Sequence, residues 1–364
     1  MKVTVAHDYL TQRGGAERVA LALLDAFPGA PLVTSVHNPG ATFPDFASAD
    51  VRTGPLQRWH LVRRDPRVGL ALLPAAWDRT EVPAADVVVA STSGFAHGVR
   101  IPDDTALVAY CHNPARWLYQ TEDYLPRRRE RAALAAVRKG LEAWDRRSAA
   151  RVDTYLANST TVAARIERVY GIEAEVVHPP VYIDVDSHQE PVAGLEPGFW
   201  LTVARGRGYK NTRAVLDGTA LAGGQVAVVG QQPSGEPDDP RVRWLGVVSD
   251  AELRWLYANA RALVSVSRED FGLTPIEANA FGTPVAVLRA GGFLDSTAEG
   301  VSGVFVEEGT AGAVAATLRD FPDLDPALVR EHAARFGQDR FAHRVREVAE
   351  QALARRRSGA LVLG

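Results

Sequence analysis

Short β-branched runs alternate with amphipathic stretches along this chain, and that alternation leaves few folds open. Residues 3–6, 31–36, 86–90, 106–110, 154–157 and 174–177 read as buried strands, while 15–27 and 127–150 carry apolar residues at helical spacing. A strand covered on both faces reads as an unbroken apolar run, and parallel neighbours need a crossover helix, so the pattern predicts βαβ units and parallel sheets. The rhythm restarts at 199–204 and continues through 225–229, 243–245, 262–266, 285–288 and 304–306. Between the two series lies IDVDSHQEPVAGLEPG (183–198), whose polar, Pro- and Gly-containing composition predicts a linker. The expected class is α/β, with two doubly wound Rossmann-like domains at 1–190 and 191–340. A last helix over 338–356 is expected, with the C-terminal segment 341–364 packing back toward the first domain and 358–364 frayed. Ligands of open parallel sheets sit beyond the C-terminal strand ends, so facing domains would hold a site in an inter-domain cleft.

Composition narrows the function classes. The formal charge of −3 argues against nucleic acid as a partner, and one cysteine, Cys111, excludes an intramolecular disulfide and a Cys-rich zinc site. The N-terminal apolar run is broken by His7 and Asp8, too early for a signal sequence, and no window approaches a membrane span; both predict a cytoplasmic protein. Lysine occurs only at 2, 139 and 210, leaving 38 of the 41 basic residues as arginine, the signature of a GC-rich genome.

Four loops that follow predicted strands carry chemistry-bearing residues. Ser267 to Ala278 holds Glu269 at a strand end and Glu277 in the next helix; with Thr274 as N-cap and Pro275 at the first helical position, Glu277 also fits a capping box. Two carboxylates beside a helix N-terminus could hold hydroxyls and a phosphate together. Ala204 to Asn211 sets Arg205 and Lys210 among glycines, two cations for a polyanion. Gly14 and Gly15 open a helix after the first strand, though without a G-x-G-x-x-G or P-loop pattern, and His112 follows the strand at 106–110. There is no nucleophile elbow, H-E-x-x-H pair or metal-ligand set.

Taken together these segments resemble family 4 retaining glycosyltransferases of the GT-B fold. EDFGLTPIEANAFGTPV (269–285) resembles that family's E-x7-E signature, VARGRGYKN (203–211) its Arg–Lys donor-phosphate segment, GGAERV (14–19) its glycine loop and YCHNPARWLY (110–119) its His-bearing loop. Residues 158–182 and 244–264 are similar to further family segments, so the likeness runs through most of the chain in the family's order, nearest its mannosyltransferase-like bacterial branch. Leu294-Asp295 and Ala204 depart from the pattern, where relatives carry Glu after the Gly-Gly turn and Gly or Ser before the Arg.

The resemblance implies roles. Arg205 and Lys210 would bind the donor diphosphate, Glu277 the ribose, Glu269 the sugar hydroxyls, and His112 the sugar from the opposite domain. Backbone amides of Gly14 and Gly15, and of Phe271, Gly272, Leu273 and Thr274, would meet the phosphates. It implies a hexosyltransferase working with retention, by front-face attack, without metal or cofactor. Its donor would be a nucleotide-sugar, GDP-mannose favoured, and its acceptor of the cell envelope, a glycolipid or a secondary metabolite. The alternatives are a UDP-sugar donor, a sugar-nucleotide epimerase on the same scaffold, and a non-catalytic nucleotide-sugar-binding protein.

Residues 127–151 carry nine basic and three acidic side chains, a net +6. A solvated helix face is one reading; contact with an anionic membrane, helped by Trp117, Tyr119, Tyr124 and Trp144, is the other, and it would place the protein peripherally at the inner face of the membrane.

Overall fold

The computed structural model describes residues 1–121, 128–203, 211–233, 235 and 238–362. The chain divides into two compact units. The first comprises Met1–Pro180 with Gln338–Gly364, and the second Val181–Gly337.

In the first unit seven strands form one sheet: β1 (Val3–His7), β2 (Leu32–Thr34), β3 (Val51–Thr53), β4 (Val87–Thr92), β5 (Ala106–Cys111), β6 (Thr154–Ala157) and β7 (Glu175–Val176). Their order is β3-β2-β1-β4-β5-β6-β7, with every pairing parallel. Every residue of β1, β4 and β5 is buried, as expected of strands with helices on both faces. The principal helices are α1 (Gly15–Ala26), α2 (Arg128–Ala149), α3 (Thr160–Tyr170) and, after the second unit, the long C-terminal helix defined below. Ser159 caps α3 by accepting from Val162 N, and Gly171 ends it in the left-handed region at φ 71°.

The second unit holds β8 (Trp200–Val203), β9 (Val226–Val229), β10 (Val242–Gly246), β11 (Ala262–Ser265), β12 (Val285–Leu288) and β13 (Gly303–Val306) in the order β10-β9-β8-β11-β12-β13, again all parallel. Its main helices are α4 (Thr212–Ala222), α5 (Asp250–Asn259), α6 (Leu273–Ala280), α7 (Ala311–Arg319) and α8 (Pro326–Ala334). A single apolar core joins Trp200, Leu201, Val228, Leu263, Val264, Val285 and Val287 from the sheet to Val215, Leu256 and Val314 from the helices. Strand order reverses between β1 and β4 in one sheet and between β8 and β11 in the other, which marks where each unit can take a ligand.

Three expectations change. Residues 183–198 are not a free linker: Ile183, Val192 and Leu195 pack into the second core and Glu190 N donates to Ala251 O. The division therefore falls after Pro180 rather than at 190. The final helix, α9 (Gln338–Val362), starts at 338 as expected but stays helical through most of the stretch expected to fray. It lies on the first unit: Arg344 pairs with Glu175, Arg356 with Asp153 and Arg357 with Asp86, and the Phe341 ring sits 5.5 Å from Tyr110. Third, β3 is a strand that the sequence did not suggest; at three residues, with Arg52 and Thr53 exposed at the sheet edge, it has almost no apolar signature. No described helix is long and apolar enough to cross a membrane.

Candidate active site residues in the two units

At the C-terminal end of β11 the chain turns through Val266 to Gly272 before entering α6. Glu269 is half-buried there, its Oε1 accepting from Ser267 Oγ at 2.9 Å, and Ser267 Oγ lies 3.0 Å from Ser265 Oγ. The turn is clamped from β12 by Gly291-Gly292. Gly292 N donates to Glu269 O at 2.9 Å, and a Cβ at Gly292 would fall 2.2 Å from Asp270 O. Only glycine permits that approach, so the pair fixes the backbone from which Glu269 projects.

Helix α6 begins differently from the sequence expectation. Its N-cap is Gly272, at φ 91°, and Leu273 is the first helical residue. Thr274 is therefore inside the first turn, Pro275 sits where its missing N–H leaves no intrahelical bond unmade, and no Thr274–Glu277 capping box forms. Gly272 is required by its left-handed backbone and by Phe293, whose ring would lie 2.5 Å from a Cβ at this position. Glu277 instead accepts from the phenol of Tyr257 on α5 at 2.8 Å. Tyr257 is 1% exposed, so Glu277 is tethered from a fixed point in the core. The two glutamates thus lie on one loop–helix element, each with a hydroxyl partner that orients it, near a helix start made by residues 271–274.

Arg205 and Lys210 lie outside the described residues. The next residue, Asn211, is the one described non-glycine at positive φ, 47°, and its Nδ2 donates to Gly309 O at 2.8 Å. Such a conformation on an N-cap costs energy unless the surroundings hold it, here the bond across to 309.

In the first unit, β1, β4 and β5 end on a buried polar cluster. Ser91 Oγ stands between two imidazoles, 3.0 Å from His7 Nδ1 and 2.8 Å from His112 Nε2. Burial pushes the His112 pKa down to about 3, and a second imidazole nearby, His7, pushes the same way. Burial also lowers His7, against the opposing pull of Asp8. Both rings are neutral at pH 7. The Asp8 carboxylate accepts from the backbone N–H groups of Ser93, Phe95 and Ala96, at 2.5, 2.9 and 2.8 Å, and so holds the turn after β4.

Gly14 is the buried N-cap of α1 and Gly15 its first residue. A Cβ at Gly14 would lie 2.5 Å from Oε2 of Glu17, a buried carboxylate in the same first turn. The structure thus gathers Glu269, Phe271, Gly272, Leu273, Thr274 and Glu277 in one unit, and in the other places His112 just after β5 and Gly14 and Gly15 at the start of α1. His7, Asp8, Ser91, Tyr257 and Ser267 were not expected. For His7-Asp8 the signal was present: two polar residues closing an apolar strand. Ser91 and Tyr257 sit in apolar segments with nothing local to single them out. Among the described residues no group of three or more His, Cys, Asp or Glu is placed to hold a metal ion.

Two parallel-sheet Rossmann-like units with strand reversals of this kind are the fold of GT-B glycosyltransferases. HepE of Anabaena, solved in complex with UDP, superposes with a TM-score of 0.68 over 96% of this chain and 100% of its own at 16% identity. Sucrose-phosphate synthase of Thermosynechococcus elongatus gives 0.66 over 97% and 100% at 18% identity. Residues 13–185 match the family model Glycosyltransferase Family 4, and 239–340 match Glycosyl transferases group 1. A D-inositol 3-phosphate glycosyltransferase of Mycolicibacterium smegmatis is 30% identical over 224 residues, 53% of this chain and 51% of that protein. One of Thermobispora bispora is 41% identical over 108 residues, 28% and 25% respectively. The chain thus spans about half of one of these curated relatives and a quarter of the other.

Proposed function

We propose that this protein is a retaining, metal-independent glycosyltransferase that moves a hexose from a nucleoside-diphosphate sugar to a hydroxyl acceptor of the cell envelope, a glycolipid or a secondary metabolite. The observation that carries the reading is the pairing of Glu269 with Ser267 and of Glu277 with Tyr257 at the end of β11. Each carboxylate has one oxygen oriented by a hydroxyl donor, and a carboxylate has acceptor capacity for further hydroxyls. Glu269 is assigned to the donor sugar and Glu277 to the ribose.

The chemistry asks for stabilisation of two developing charges, an oxocarbenium-like centre and a departing diphosphate. Arg205 and Lys210 are assigned to the diphosphate, with the amides of residues 271–274 and of Gly14 and Gly15 as further anion ligands. His112 is assigned to the donor sugar; being neutral, it offers a hydrogen bond without placing a positive charge beside the oxocarbenium. The acceptor attacks from the face the diphosphate leaves, and its proton passes to that leaving group.

The donor reading remains mannose from GDP-mannose. A UDP-sugar is the second reading, and the likeness to HepE, solved with UDP and with UDP-glucose, favours it. A thermal-shift panel of GDP, UDP, ADP and their sugars decides between them: a ligand at 100 times its Kd stabilises by about 2.7 kcal/mol. Product analysis then separates the classes. A transferase yields a new glycoside and an epimerase a changed free sugar, whereas a binding protein yields neither.

A further inference from the structure

After β3 the chain makes three short helical turns, Pro55–Arg58, His60–Arg64 and Pro66–Leu72. Leu56, Val62 and Leu73 turn inward to the core of the first unit, each no more than 5% exposed. Gly69 lets the third turn close on the second, since a Cβ there would meet Val62 at 3.0 Å. Pro66 and Gly69 between these anchors are also buried, but four large apolar side chains face solvent. Trp59 is 55% exposed, Leu61 67%, Val68 64% and Leu72 40%.

These four, within 14 consecutive residues, are a third of the twelve large apolar side chains exposed among the described residues. Apolar side chains scattered singly over a surface need no explanation, but a group on one short segment does. The same segment is basic. Residues 55–72 carry Arg58, Arg63, Arg64 and Arg67 against Asp65, a formal +3 in a chain whose total is −3. The described side chains of Arg58 and Arg64 are exposed and interleave with Trp59 and Leu61.

We propose that this face docks on an anionic lipid bilayer, with Trp59, Leu61, Val68 and Leu72 entering the headgroup boundary and Arg58 and Arg64 meeting lipid phosphates. Aromatic and aliphatic side chains supply apolar burial at that depth, and cations add attraction to an anionic surface. A second copy of the chain is a poorer occupant, because a two-fold contact would set two segments of the same net positive charge against each other.

The basic helix α2 is a poorer membrane contact than the sequence suggested. Trp117 is 5% exposed, Tyr119 donates to Asp145 at 2.7 Å, and Trp144 packs edge-on against Phe95, so three of the four expected anchors point inward. Tyr124 lies outside the described residues. The docking proposal stands apart from the transfer chemistry and is measured without it.

The test is flotation of the full chain with vesicles of phosphatidylcholine alone or mixed equally with phosphatidylglycerol. Wild type should float with the anionic vesicles and lose about tenfold in binding near 0.5 M salt, where the screening length shrinks to a few Å. The double variant Trp59→Ser/Leu61→Ser should bind the anionic vesicles at least about tenfold less, with unchanged melting and unchanged mass by light scattering. Arg146→Gln/Arg147→Gln, on the exposed face of α2, should float like wild type. Wild type that ignores anionic vesicles, serine variants that float normally, or loss of flotation through the α2 variant would overturn the proposal. So would dissolution of a dimer by the serine variants, which would make the face a contact between copies.

Discussion

Ser91 Oγ lies 2.8 Å from His112 Nε2, and with that one hydrogen bond the middle strand of the first sheet fixes the ring that follows its neighbour. The hydroxyl also serves His7, so a proton accepted by either imidazole would have to be accommodated by all three groups.

That arrangement sets a pH dependence. The folded His112 binds its proton only near pH 3, whereas the unfolded ring takes one near 6.5. Between those values the unfolded state holds more protons, so stability falls as the pH drops below 6.5. His112→Asn should flatten urea-derived stability against pH in this window by up to about 1.4 kcal/mol per pH unit. His7 contributes in the same direction, so a residual slope persists in the single variant. An unchanged slope would show that His112 titrates normally in the folded chain.

Lys210 and Glu269 test the proposed chemistry. Lys210→Ala should lower kcat more than it raises KM, by roughly 100- to 1000-fold, because its target charge grows as the diphosphate leaves. Glu269→Gln should weaken binding of the nucleotide-sugar while leaving free nucleotide binding nearly intact. Both should melt close to wild type. Loss of several kcal/mol with normal turnover of the folded remainder would show a structural role instead.

Tyr257→Phe probes the second glutamate through its tether. The variant leaves the buried ring in place and removes the donor 2.8 Å from Glu277 Oε2. Stability should fall by about 1 kcal/mol. Nucleotide affinity, measured calorimetrically, should fall several-fold as Glu277 loses its orientation. Unchanged affinity would place the ribose elsewhere.

Gly292→Ala should disturb the turn that carries Glu269. The new methyl would meet Asp270 O at 2.2 Å and Phe271 Cα at 2.3 Å, so the backbone must move. A loss of about 1–3 kcal/mol by thermal or urea unfolding is expected.

Metal independence is tested directly by assaying transfer in EDTA. Full activity is the expected result. Turnover abolished by the chelator and restored by magnesium or manganese would assign the leaving-group charge to an ion instead of Arg205 and Lys210.

Much of the architecture was legible because parallel strands such as β4 and β5 bury every residue and read as unbroken apolar runs. Edge strands lack that signal, and β3 with its exposed Arg52 went unseen. The helix start at 272–273 was misplaced by two residues because Thr274-Pro275 is a good local cap, yet the left-handed Gly272 packed on Phe293 decides the geometry. Glu277 shows the same limit: spacing offered it a capping box, and a tyrosine twenty residues upstream took it. Chemistry-bearing residues at strand ends were readable, whereas their hydroxyl partners Ser91, Ser267 and Tyr257 depend on strand and helix neighbours that no local pattern reveals.

Helix α9 has a consequence for how the chain is made. The first unit is discontinuous: Phe341, Val345, Val348, Ala349 and Ala352 of α9 are buried, and α9 pairs with Glu175, Asp153 and Asp86 far upstream. On the ribosome the segment through Pro180 emerges without the helix that covers it, while the second unit, Val181–Gly337, emerges whole. Domains ordinarily fold in the order they are synthesised. Here the order inverts, and the unit begun first is the last to close, its apolar surface waiting through the synthesis of an entire intervening domain.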